Sequence, residues 1–150
     1  MILVSACLIG ETCRYDGKSC THELLKKLYD KGKTVAVCPE VLAGFPVPRL
    51  PCEIIGGNGA DVLAGLAKAV TSAQDDISER MIAGCAAALE LAKKNNIRLA
   101  VLKSKSAACG KDMIHDGTFT GRLVRGQGIL TALLEKSGIR VISEEEFFMV

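Results

Sequence analysis

The chain has no tryptophan, and aromatic residues make up only 4% of it. Its core must therefore be packed from Val, Ile, Leu and Ala. A surplus of charge of one sign is also missing: 19 basic residues against 17 acidic ones leave a formal net charge of +2. That balance sets up no strong field, and the short basic pairs Lys26-Lys27 and Lys93-Lys94 read as solvated helix faces. No basic patch marks a nucleic-acid footprint. No apolar run approaches the roughly 18 residues that a membrane span requires. Met1-Ile-Leu-Val carries no basic n-region, and the apolar run breaks at once into Ser5, Cys7, Gly10 and Glu11, which is not the pattern of a secretory leader. No nucleic-acid partner, no membrane partner and a cytoplasmic location are expected. G-x-G-x-x-G and G-x-x-x-x-G-K-S/T are both absent, so the usual dinucleotide and P-loop fingerprints are missing. Cysteines in paired C-x-x-C spacing, the common mark of structural zinc, are absent as well.

Apolar side chains are plentiful. They are 49% of 150 residues, enough for a packed core and the ordinary size of one domain, expected here over 1–150. Cysteine is plentiful too. Seven cysteines cannot all pair within one chain, and in a reducing cytosol they are expected as buried apolar residues, metal ligands or nucleophiles.

The apolar periodicity alternates. Residues 1–7 read as a buried strand opening into a loop with Gly10, Cys13, Arg14 and the Asp16-Gly17 turn. Thr21 reads as the N-cap of a helix over His22–Asp30 that ends at Gly32. Thr34–Cys38 reads as a second strand, stopped by Pro39. The stretch 43–59, with Gly44, Pro46, Pro48, Pro51 and Gly56-Gly57-Asn58-Gly59, reads as a long functional loop, its glycines only weakly suggesting a phosphate cradle. A short helix over 60–72 and a long one over Ser78–Asn95 follow. Ile97–Lys103 reads as a third strand, followed by a glycine-bearing loop. A helix over Gln127–Lys136 and a strand over Ile139–Ile142 come next, and Ser143 caps a short acidic turn at Glu144–Glu146. This order predicts an α/β fold, a Rossmann-like three-layer sandwich with a mainly parallel sheet.

The chemistry lies at the strand ends. The first strand ends in Ser-Ala-Cys7, the second in Val-Cys38-Pro-Glu40, and the third runs into Ser106-Ala-Ala-Cys109-Gly110. Open parallel sheets bind ligands beyond the carboxyl ends of their strands, so Cys7, Cys38 and Cys109 are expected to converge there. Cysteines used only for packing sit inside elements, as Cys85 does on its helical face. Three soft thiolates fit two cofactors: a catalytic zinc with water as its fourth ligand, or a 4Fe–4S cluster with one iron left free. Glu40 is a candidate proton donor or acceptor in the same pocket or else an exposed loop carboxylate. Ser106 could bind a substrate group, pass a proton or make a turn. Arg14 could hold an anion, while Asp16 makes a turn. Arg49 and Glu53 could line the pocket or form a surface ion pair. Cys13, Cys20 and Cys52 lie in neighbouring loops, and Cys13 is a rival for one of the three ligand positions. His22 and His115 show no ligand spacing. A non-catalytic module binding a small ligand or nucleotide remains an alternative to an enzyme.

Ser5-Ala-Cys-Leu-Ile-Gly10, Cys13-Arg-Tyr-Asp-Gly17, Cys38-Pro-Glu40, Pro48-Arg49 with Glu53, Leu102-Lys103 through Ser106 to Cys109-Gly110, and Asp116-Gly-Thr-Phe119 together resemble a bacterial family of small proteins typified by thiouracil desulfurase. The resemblance spans nearly the whole chain. It implies a redox-neutral, hydrolytic desulfuration of a thiolated pyrimidine base or a similar small thiocarbonyl compound. It also implies a 4Fe–4S cluster held by the matching Cys7, Cys38 and Cys109, with Glu40 and Ser106 handling protons. The chain departs from the family where it reads Ser106-Ala-Ala-Cys-Gly110 instead of Ser-Pro-Ser-Cys-Gly, and at Cys52, where a small residue is usual.

Overall fold

The structure, a computed structural model, describes residues 1–147. β1 (Ile2–Ser5) leads through a 3-10 turn at Ala6–Ile9 and a loop to α1 (Glu23–Asp30). β2 (Thr34–Val37) runs into a one-turn helix, α2 (Pro39–Leu42). β3 (Cys52–Ile55), α3 (Gly59–Leu63) and β4 (Lys68–Thr71) precede the long α4 (Ser78–Lys94). β5 (Leu99–Leu102), β6 (Met113–His115), β7 (Leu123–Arg125), α5 (Ile129–Lys136) and β8 (Arg140–Ser143) complete the order.

Four strands form one parallel sheet in the order β2-β1-β5-β8. Both faces are covered, and the period-2 alternation of strand side chains shows how. Leu3, Ala100, Leu102 and Val141 pack into one apolar cluster with Met81, Cys85, Ala88 and Ala92 of α4 and with Leu130 and Leu134 of α5. Val4 and Val101 turn the other way and pack with Leu25 of α1. This is the three-layer α/β sandwich expected from the sequence. Leu25 is fully buried, and its burial contributes about 1.5–3 kcal/mol. The buried positions of α4, Met81, Gly84, Cys85, Ala88, Leu89 and Ala92, follow the 3.6-residue period. Glu79 in its first turn and Lys93 and Lys94 in its last complement the helix dipole.

The connections differ from expectation in four places. The N-cap of α1 is His22, whose Nδ1 accepts from the Leu25 amide at 3.4 Å, rather than Thr21. The long loop expected over 43–59 contains β3, which pairs antiparallel with β4. The short helix expected over 60–72 stops at Leu63 for the same reason: Lys68–Thr71 is taken up as the partner of β3. That hairpin sends Ile54, Ala69 and Val70 into the interior, so tertiary burial overrides the local glycine and proline signals. The glycine-bearing segment after Cys109 folds as the antiparallel hairpin β6–β7. Pro39 ends the ladder as expected, and it also occupies the first turn of α2, where its missing N–H costs nothing. Among the described residues, no helix is long and apolar enough to cross a membrane.

Candidate functional site

The chain leaves β1 on one side to form β2 and returns on the other side to form β5. The carboxyl ends of β1 and β5 therefore flank the topological switch point, where a doubly wound sheet opens a crevice. A cavity of about 640 Å³ lies there. Ser5, at the end of β1, is buried, and its Oγ accepts the Lys103 amide at 2.9 Å, which ties the ends of β1 and β5 together.

Cys7 lies on the 3-10 turn beyond β1 and is buried. Its carbonyl accepts the Cys20 amide at 2.9 Å, which folds the Cys13–Cys20 loop back over it. Cys38 is the N-cap residue of α2. Cys109 follows β5 in a loop held by the start of α5. The amides of Gly128, Ile129 and Leu130 donate to the carbonyls of Gly110, Ala107 and Ala108 at 2.8–2.9 Å. The helix N-terminus thus satisfies its own free donors with the loop that carries the cysteine. The fully buried Thr131 adds a bond from its Oγ1 to the Cys109 carbonyl at 3.0 Å. All three cysteines face the cavity, as the strand-end pattern predicted.

Six of the seven cysteines line this one cavity: Cys13, Cys20 and Cys52 join the three. Cys85 is the exception, fully buried in the core as expected. Every one of the seven is a free thiol. Burial pushes the Cys109 thiol up to about 12, although bonds with Ser5 and Ser106 pull the other way. Contact with the Cys13 thiol, then burial, raises Cys38. At Cys13 the bond with Cys38 lowers the thiol, but a bond with Cys7 and burial outweigh it and leave it raised to about 11. Thiols held neutral in this way become good ligands only when a cation replaces their protons.

The sequence left two cofactors open. Thiolates around one tetrahedral zinc lie about 3.8 Å apart, given a Zn–S bond of roughly 2.3 Å. Among the described residues, no three His, Cys, Asp or Glu side chains are gathered tightly enough for a single ion. Cys7, Cys38 and Cys109, carried on three separate loops around the cavity, are the kind of donor set that a 4Fe–4S cluster with one open iron would take.

Glu40 lines the cavity on α2 and is half-buried rather than exposed. Arg49 holds it, with Nη2 at 2.7 Å and Nε at 2.9 Å from the single oxygen Oε2. Arg49 also donates to the Cys13 carbonyl at 2.8 Å, and its side chain is only 8% exposed. The ion pair imagined between Arg49 and Glu53 is not formed. Both residues line the cavity, but Glu53, itself buried, accepts the amides of Gly117 and Phe119 at 2.9 and 3.1 Å. Ser106 makes the turn foreseen for it, its Oγ accepting the Cys109 amide at 2.6 Å, and it also faces the cavity. Arg14 donates to the Cys20 sulfur at 2.6 Å and pairs with Asp16 at 3.3 Å. The glycine stretch at 56–59 leads into α3. Asn58 caps α3 there, in a reciprocal box with Asp61.

Sequence reasoning missed the wall formed by β6–β7, which brings His115, Phe119 and Gly121 to the cavity. The alternating Met113-Ile-His and Leu123-Val-Arg segments on either side of Asp116-Gly117 carried a hairpin signal.

A switch-point crevice walled by free thiols, with a carboxylate clamped beside them, defines an α/β enzyme built around a thiolate-ligated centre. A family model for 2-thiouracil desulfurase matches residues 2–146, and the chain belongs to that family, as its motifs suggested. It is 49% identical to YbbK of Bacillus subtilis (strain 168), a protein without an assigned activity, over 146 residues that cover 97% of each chain. The solved structure of a 4Fe–4S-dependent thiouracil desulfidase, TudS, superposes with a TM-score of 0.85 at 38% identity, over 97% of this chain and 91% of that one.

Proposed function

We propose that this protein is an iron–sulfur-dependent desulfidase that exchanges the sulfur of thiouracil, or of a similar small thiocarbonyl compound, for oxygen. The observation that carries the reading is the meeting of the Cys7, Cys38 and Cys109 loops with the clamped Glu40 on one cavity wall. The family and the TudS likeness support the same chemistry.

In this reading Cys7, Cys38 and Cys109 hold a 4Fe–4S cluster. Held by three cysteines, such a cluster supplies one iron free to act as a Lewis acid toward sulfur. The protein's own residues do the rest. Arg49 occupies Oε2 of Glu40 and leaves Oε1 free to accept a proton from water. The oxygen of that water attacks the thiocarbonyl carbon, and the sulfur leaves as sulfide. Thiocarbonyl and water become carbonyl and hydrogen sulfide, with no net transfer of electrons. Ser106 Oγ accepts the Cys109 amide, so its hydroxyl hydrogen is free to donate to a ring nitrogen of the substrate. Lys105 also lines the cavity and would offset part of the negative charge of the three thiolates.

Purification without oxygen, followed by an absorption spectrum, iron and sulfide assays and incubation with 2-thiouracil, tests the reading. Brown protein with about four irons per chain that releases sulfide and uracil is expected. Colourless protein that takes up no iron and sulfide on reducing reconstitution would overturn it.

A further inference from the structure

Two glutamates line the cavity, and the chemistry above uses one. Glu40 is paired with Arg49. Glu53, on β3, forms no ion pair among the described residues, although only 8% of it is exposed. Three cations of the same cavity are engaged elsewhere: Arg49 with Glu40, Arg14 with Asp16 and Lys103 with Glu144. One carboxylate oxygen of Glu53 is satisfied, because Oε1 accepts both the Gly117 and Phe119 amides. The other, Oε2, has no hydrogen-bond partner among the described residues. It is not sealed in the interior. Only two side-chain polar atoms among the described residues combine complete burial with the lack of a partner, Thr34 Oγ1 and His115 Nδ1. Oε2 is neither of them, so it keeps accessible surface, and the residue that carries it lines the cavity. A carboxylate taken this far out of water without a cation is unfavourable unless donors satisfy it. The missing donor is an N–H that arrives with a ligand.

We infer that Glu53 positions the substrate, its Oε2 accepting a hydrogen bond from a ring N–H next to the thiocarbonyl. This rests on the reading of the protein as a thiouracil desulfidase and adds a specificity determinant to it. In 2-thiouracil the carbon that carries sulfur lies between two N–H groups. An ionised carboxylate can only accept, so it distinguishes a nitrogen that bears hydrogen from one that bears a methyl group. Ser106 offers the cavity a donor and Glu53 an acceptor, and a ring with both kinds of edge atom is held in one orientation. Glu53 binds and positions, and the proton transfers at the reacting carbon are left to Glu40. A site built to hydrogen-bond a group rejects analogues that lack it. The cavity therefore selects thioamides and thioureas with a free N–H over their N-alkylated counterparts.

The test uses the anaerobically reconstituted holoenzyme with 2-thiouracil, its 1-methyl and 3-methyl derivatives as substrates, and uracil as a non-reacting ligand whose Kd is read by calorimetry. Glu53→Gln has the same shape. Its carbonyl oxygen can keep the Gly117 and Phe119 amides, and its NH2 then stands where Oε2 was and turns hydrogen toward the ring N–H. The KM for 2-thiouracil and the Kd for uracil should each rise by about 10- to 100-fold, the range for a hydrogen bond to a charged group. Iron content and melting temperature should be unchanged, with kcat altered less than about twofold. Wild-type enzyme should discriminate against at least one methylated substrate by about tenfold or more in KM, and in Glu53→Gln that discrimination should shrink by a similar factor. A purely structural role, or exclusion of the methyl group by its size, would leave the discrimination as it was. Equal KM values for all three substrates in wild-type enzyme overturn the inference with no variant needed. So does Glu53→Gln with KM and Kd within about twofold of wild type, and in both cases the desulfidase reading stands. If wild-type protein with its full iron releases no sulfide from 2-thiouracil, the underlying reading falls, and this inference with it.

Discussion

Arg49 grips Glu40 by one oxygen only: Nη2 and Nε both converge on Oε2, at 2.7 and 2.9 Å. The grip fixes the carboxylate against the cavity wall, and among the described residues Oε1 has no hydrogen-bond partner. Glu40→Gln keeps the shape and much of the hydrogen bonding but removes the proposed base. Iron content should be unchanged while sulfide release from 2-thiouracil falls by about 10²–10⁴, the range typical for general acid–base catalysis. Arg49→Ala frees the carboxylate to rotate, and should also cost activity with iron retained. Full turnover by Glu40→Gln would remove Glu40 from the mechanism.

The crowding of six thiols on one wall makes ligand assignment testable one cysteine at a time. Cys7, Cys38 and Cys109 follow three adjacent parallel strands, and the carbonyls of Cys7 and Cys109 are held by bonds from Cys20 and Thr131. Cys20 is engaged by Arg14, and Cys52 belongs to the β3–β4 hairpin. Changing any of the first three to Ala should abolish iron binding after anaerobic reconstitution. Cys13→Ala, Cys20→Ala and Cys52→Ala should keep about four irons per chain. Iron loss from Cys13→Ala, with one of the three retaining a full complement, would move the assignment to Cys13.

What the sequence made legible follows from the length and purity of its signals. The parallel sheet could be read because β1, β2, β5 and β8 are apolar runs with β-branched residues separated by helical periods, and both of their faces are buried. The three cysteines could be read because they close those runs. The hairpins could not. Cys52–Ile55 is four residues in a glycine- and proline-rich stretch, and its partner Lys68–Thr71 lies 13 residues downstream of Ile55, beyond the reach of local pattern. Arg49 looked like a partner for nearby Glu53, but its partner is Glu40. Glu53 spends its buried carboxylate on backbone amides 64 and 66 residues away. Contacts of that range are fixed by the packed fold and leave no mark in local spacing.

Alkaline stability should report on Cys85. Its side chain is fully buried, and burial first, then the neighbouring Cys109 and Glu40, holds the thiol well above its ordinary value of 9.0. Above that pH the unfolded chain releases the proton while the folded chain keeps it. The unfolded state then binds fewer protons, and stability falls as pH rises. The loss from this group is at most about 1.4 kcal/mol per pH unit. In reduced, metal-free protein unfolded by urea, Cys85→Ala should be less stable than wild type at pH 8, with the gap narrowing by pH 10. A gap that stays constant would mean that Cys85 ionises equally in both states.

Gly84 supports the site from behind. It lies mid-helix in α4, where an added Cβ would overlap the Pro39 carbonyl oxygen and come within 2.8 Å of the Ala43 Cβ. The helix therefore touches the backbone of α2, which has Cys38 as its N-cap and carries Glu40. Propensity alone says that Gly84→Ala should stabilise the helix by about 1 kcal/mol. Overpacking a tight contact costs about 1–3 kcal/mol, and here the obstacle is backbone, which cannot swing aside as a side chain can. The contact should win, so Gly84→Ala lowers the melting temperature and, by pushing α2 outward, lowers iron occupancy and sulfide release as well. Ala83→Gly, at an exposed position on the same helix, provides the comparison: it should cost about 1 kcal/mol through propensity and leave iron content unchanged. A higher melting temperature for Gly84→Ala, measured by calorimetry on identically loaded samples, would show that α2 yields to the methyl group and that this glycine does not set the position of Cys38.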